Sequence, residues 1–181
     1  MTEQEFYKLR FPIGEFEKPE AITKEQLKEW ISTIESFPHR IESITEPLSD
    51  KELSFKYRPN GWTIRQVVHH CADSHINSII RFKLAITENR PKIRPYFEDR
   101  FAKLIDYSEP IDASISILKG VHKKLGVLLK SFSELDLKRE FTHPEYKKTY
   151  SLEETIGVYA WHSNHHFAHI EQALHYDGKF N

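Results

Sequence analysis

The sequence lacks most of the features that would announce a partner. A single cysteine, Cys71, in 181 residues excludes an intramolecular disulfide framework and points to a reducing, cytoplasmic setting. The 26 lysines and arginines are cancelled by 27 aspartates and glutamates, leaving no cationic excess to neutralise a phosphate backbone, so nucleic-acid binding is not expected. No stretch approaches the 18 or so uncharged apolar residues that a membrane span requires. Met1 to Leu9 is polar and charged, without the apolar centre of an export signal. Internal repeats and low-complexity tracts are absent as well. The length fits one domain, residues 1–181, large enough to bury a core unaided.

What is present is helical periodicity. Thr23-Lys24-Glu25-Gln26 has the form of a capping box, and Leu27, Trp30, Ile31 and Ile34 follow at helical spacing, with Pro38 a candidate kink before Ile41 and Ile44. A second box, Thr63-Ile64-Arg65-Gln66, opens a segment whose apolar positions run from Ile64 to Leu84 and which ends before Pro91. A third helix is expected over about Asp112 to Phe132. A fourth begins at Ser151-Leu152-Glu153-Glu154 and continues until Gly178. Pro12 and Pro19 bracket an arm, residues 1–22, read as extended. Residues 91–110 form a long, aromatic-rich crossover between helices two and three, and Phe141 to Tyr150 reads as at most a short hairpin. The expected fold is therefore all-α, a four-helix bundle with connections of unequal length.

The remaining signal is histidine, eleven in all and concentrated in two clusters. In Trp161-His162-Ser163-Asn164-His165-His166-Phe167-Ala168-His169, both His162/His166 and His165/His169 have the i, i+4 spacing that stacks two imidazoles on one helix face. With His162 at zero on a wheel of 100° per residue, His166 lies at about 40°, His169 at about −20° and His165 at about −60°. The apolar stripe of Leu152, Ile156, Tyr159, Ile170 and Leu174 occupies roughly 60–120°. His162 and His166 thus border the core-facing stripe, and His165 and His169 are expected to turn towards the flank or solvent. The second helix offers His69, His70 and His75, with His70 on the shoulder of its own apolar stripe. Cys71 points about 100° away and reads as core. Two histidines from one helix and one from another would give three neutral nitrogen donors with positions left over, the open arrangement of catalytic rather than structural zinc. Histidines that are merely polar surface, or hydrogen-bonded core, remain the alternative at this point.

Gly61-Trp62-Thr63-Ile64-Arg65-Gln66-Val67-Val68-His69-His70, followed by Ala72-Asp73-Ser74-His75, resembles the first histidine motif of the DinB/YfiT superfamily. Trp161 to Ile170 resembles its C-terminal motif, and Phe11-Pro12-Ile13-Gly14-Glu15 and Arg81-Phe82-Lys83-Leu84-Ala85 extend the likeness towards the YfiT branch. The resemblance implies a ligand set of His70, His162 and His166, one zinc or nickel ion per subunit, and a homodimer of four-helix bundles. It also implies a metal-dependent enzyme, either a hydrolase or a bacillithiol-like thiol S-transferase, acting on a small thiol or electrophile. A hydrolase would use the ion to acidify water, and a transferase would hold a substrate thiol as thiolate. Neither needs a further catalytic side chain, and no Ser/His/Asp or Cys/His constellation is legible. Asp73 is a candidate to orient an imidazole or else a surface carboxylate. Arg81, Arg94 and Arg100 are candidates for a substrate carboxylate, and the roles of His69, His165 and His169 are left open. The competing class is a non-catalytic metal- or ligand-binding bundle in stress response.

Overall fold

The computed structural model describes residues 1–181. Four long helices build the bundle: α2 (Lys24–Thr45), α4 (Ile64–Thr87), α6 (Asp112–Lys130) and α8 (Leu152–His175). Helix α2 packs on α8 and α6, and α4 packs on the same two. Consecutive bundle helices α2 and α4 therefore stand diagonally, as do α6 and α8, which is why their connections must cross the ends of the bundle. Shorter elements occupy the arm and the connections: α1 (Glu3–Arg10) in the arm, α3 (Asp50–Leu53) between α2 and α4, α5 (Glu98–Phe101) and a 3₁₀ turn at Ile105–Ser108 in the crossover, and α7 (Glu134–Leu137) after α6. A hairpin of β1 (Glu140–His143) and β2 (Lys148–Ser151), with Phe141 opposite Tyr150, leads into α8.

Local chemistry explains the helix starts. Thr63 accepts from the Gln66 backbone N–H while the Gln66 side chain accepts from the Thr63 N–H, the reciprocal box expected from the sequence. The other two boxes form only by half. Thr23 and Ser151 cap their helices, but the Gln26 side chain turns to Glu29, and that of buried Glu154 is held by Lys148 and Lys18. The expected extended arm is corrected at residues 3–10, which are helical. Thr2 and Glu5 make a complete capping box there, a signal present in the sequence as Thr2-Glu3-Gln4-Glu5.

Pro38 does not end α2, which runs on through Ile41 and Ile44 to Thr45. Proline lacks the N–H that would bond the carbonyl four residues back. That carbonyl, of Ile34, instead accepts from Nδ1 of His122 on α6.

The apolar core comes in two parts. One end contains Phe37, Ile41, Val67, Val68, Cys71, Leu118 and Ile170; the other contains Ile34, Ile79, Phe82, Leu125, Leu152, Ile156 and Tyr159. Between them, at the same level on α4, α6 and α8, lies a buried polar waist containing His70, Ser74, His75, His122, His165, His166 and His169. Cys71 is fully buried beside it, as the wheel suggested.

Candidate metal centre

The waist brings the two sequence clusters face to face. Nε2 of His70, on α4, lies 3.3 Å from Nε2 of His162 on α8. One nitrogen from each of His70, His162 and His166 falls within 4.8 Å of the others. The i, i+4 spacing sets His162 and His166 one above the other on α8, with ring centroids 4.4 Å apart, and Trp62 packs against His70 at 4.7 Å.

Burial sets the charge state of this group. Desolvation holds His70 down to about 3 and His162 and His166 well below the ordinary imidazole value, and the neighbouring histidines add to the effect. Neutral imidazoles present lone pairs, and two Nε2 lone pairs aimed at each other repel unless a proton or cation lies between them. Two nitrogens at about 2.05 Å from a tetrahedral ion stand about 3.3 Å apart, so the His70–His162 spacing fits a divalent cation without rearrangement.

The wheel misjudged His165 and His169, which are corrected from flank or solvent to buried. The wheel knows only the bundle, whereas the arm and the connection before α4 cover this face. Tyr57 stacks on His169 at 3.8 Å and Trp161 on His165 at 4.5 Å, and Phe11 closes over the His165 ring. His169 Nε2 donates to the Arg10 carbonyl at the end of α1 (3.1 Å), and its Nδ1 faces His166 Nδ1 at 3.4 Å. Trp161 Nε1 donates to the carbonyl of Gly14, whose φ of +77° turns the arm along α8.

The other sequence candidates separate. His75 is fully buried in the waist, and His69 bonds Ser114 and the Glu109 carbonyl away from the centre. Asp73 bonds no imidazole; it accepts from the Tyr107 hydroxyl at 2.7 Å and so ties the crossover to α4. Arg81 donates to the Tyr159 hydroxyl at 3.1 Å, while its Nε is buried without a partner. Arg100 lies over the Phe97 ring. A cavity of about 490 Å³ opens onto the three histidines, and Arg10, Arg58, Arg81, Tyr96 and Glu98 are among its walls. The sequence reading missed Arg10, Arg58 and Glu98. They come from the arm and the connections, where helical periodicity carries no information.

The family model described as the DinB superfamily matches residues 33–170. The chain belongs to this superfamily. Among its DinB relatives is a Bacillus cereus protein named "Putative metal-dependent hydrolase", 48% identical over 162 residues, covering 90% of this chain and 93% of the relative. A protein of the same name from Oceanobacillus iheyensis is 46% identical, covering 89% and 93%. The solved structure of YfiT from Bacillus subtilis, described as "a probable metal-dependent hydrolase with an unusual four-helix bundle topology", is 43% identical with a TM-score of 0.90, covering 93% of this chain and 97% of YfiT. A mycothiol-dependent maleylpyruvate isomerase, 17% identical with a TM-score of 0.62 over 80% of this chain and 60% of that one, shares the fold. The four-helix bundle expected from the sequence is thus the fold of the chain, and a divalent metal is implied by the relatives' names together with the histidine cluster. No helix is long and apolar enough to cross a membrane.

Proposed function

We propose that this DinB protein is a metal-dependent enzyme for small molecules, with His70, His162 and His166 holding one divalent ion at the floor of the cavity. The observation that carries this reading is the 3.3 Å approach of two neutral Nε2 atoms, one buried and one half-buried, with a third histidine nitrogen in reach. Three imidazole donors suit zinc or nickel and leave coordination positions free. A bound ion of this kind supplies acidified water and polarises the bond under attack. The chain's own groups do the rest. Glu98, whose carboxyl burial holds above its ordinary range, faces the cavity and is suited to take a proton from water. Arg81, steadied by Tyr159 and with Nε unpaired, and Arg58, whose Nε is also unpaired, are suited to anchor an anionic substrate group. A cavity of about 490 Å³ takes a small molecule rather than a folded polymer.

Hydrolysis is the reaction favoured by the names of the relatives. Thiol transfer is the second reading, supported by the cationic wall: a low-molecular-weight thiol with carboxylates would meet the arginines while its sulfur approached the histidines. The test begins with metal content by mass spectrometry on untagged protein. We expect about one zinc or nickel per chain, largely lost in His162→Ala. No metal, and none taken up on soaking, would withdraw the enzyme reading and leave a ligand-binding bundle. The loaded protein is then assayed for hydrolysis of model esters and amides and for conjugation of bacillithiol, glutathione and coenzyme A, which separates the two reactions.

A further inference from the structure

His75 is a buried histidine with an apparent defect. Its side chain is fully enclosed, yet Nδ1 has no hydrogen-bond partner, a state that lowers stability relative to a satisfied group. An apolar ring of the same shape would avoid that cost. The remaining nitrogen, Nε2, lies 3.1 Å from Nδ1 of His162.

The surroundings fix this ring from three directions. Phe37 of α2 stacks on it at 5.5 Å and 21°, His122 of α6 at 4.6 Å and 16°, and Tyr159 of α8 meets it edge-on at 5.4 Å. His122 is itself anchored, because its Nδ1 donates to the Ile34 carbonyl that Pro38 leaves without a helical partner. Three bundle helices thus aim a ring of the fourth at a single atom of His162.

The atom matters because a neutral imidazole has one N–H and one lone pair. If Nε2 of His162 is to face the centre shared with His70 and His166, its proton must reside on Nδ1 and needs an acceptor there. We propose that His75 is the positioning residue for His162: its Nε2 accepts the Nδ1 proton, fixes that tautomer and holds the His162 lone pair on the centre. This rests on the three-histidine metal reading above.

The experiment uses the full chain stripped with chelator, then titrated with Zn²⁺ against a chromophoric competitor and with Co²⁺ followed by its visible d–d absorption. In His75→Phe the stack is kept and the acceptor removed, whereas His75→Gln restores an acceptor at the position of Nε2. We expect zinc affinity about 10–100-fold weaker in the Phe variant, with a changed Co²⁺ spectrum, and recovery to within a few-fold in the Gln variant. Equal affinity and an identical Co²⁺ spectrum in His75→Phe would overturn the proposal and leave the metal reading intact. A wild type that takes up no metal would overturn both. Should the Phe variant fail to fold by circular dichroism, His75→Asn replaces it. Its shorter side chain stops short of His162, so weak binding in Asn beside strong binding in Gln supports the role, and equal binding in the two overturns it.

Discussion

His122 shows how much a single side chain can carry. It is buried against Phe37 and His75, donates to the Ile34 carbonyl, and leaves Nε2 without a partner. Burial lowers its pKa to about 4, with the Ile34 hydrogen bond opposing the shift. A histidine whose folded pKa lies below its unfolded value of about 6.5 favours the folded state above that value, and the contribution is lost as pH falls towards 4. In chelator, the stability advantage of wild type over His122→Asn, which can still donate to the carbonyl, is therefore expected to shrink between about pH 6.5 and 4. The loss should approach about 3 kcal/mol at most, read from urea unfolding midpoints across that window. An advantage independent of pH would mean that His122 does not titrate with unfolding. The sequence displayed the residue but not its duty. His122 sits alone on α6, and its partner exists only because a proline on α2 happens to face it.

At the scale of the element, two helical glycines make opposite predictions. Gly120 on α6 has open space where a Cβ would stand, so Gly120→Ala should stabilise by the difference in helix propensity, about 0.5–1 kcal/mol. A Cβ on Gly157 of α8 would lie 2.8 Å from Trp30 and 3.0 Å from Phe16, both rigid rings. Overpacking of this kind costs about 1–3 kcal/mol, enough to outweigh the same propensity gain, so Gly157→Ala should destabilise. Thermal unfolding of the two variants beside wild type checks the pair; an equal gain in both would show that the α2–α8 contact yields freely. The helices themselves were legible because caps and apolar spacing are local signals, and the Thr63 box and the ends of α4 follow directly from them. The arm was not. Its helix depends on Thr2 and Glu5, and its place over His165 and His169 depends on contacts with α8 more than 150 residues away in sequence. The histidines that converge were legible for the opposite reason. His70, His162 and His166 lie beside their own helices' apolar stripes, and a bundle has one interior in which such stripes can meet.

For the whole molecule, the polar waist is the feature that counts. Two apolar half-cores are joined through a layer of imidazoles, so an ion that those imidazoles bind only in the folded chain stabilises all of it. At free zinc about a hundredfold above Kd the linkage contributes about 2.7 kcal/mol, or roughly 5–10 °C in Tm for a chain of this size. Calorimetry with zinc and with chelator should show that difference in wild type and none in His166→Ala; an unchanged Tm in wild type would count against ion binding in the waist. The same joint has a mechanical meaning. His70 and His162 are 92 residues apart along the chain yet nearly touch. An ion shared between them is a staple across a contour of about 300 Å. A load drawn through the chain would pull out the segments outside that loop and then halt, with half the molecule's length in reserve until the staple opened.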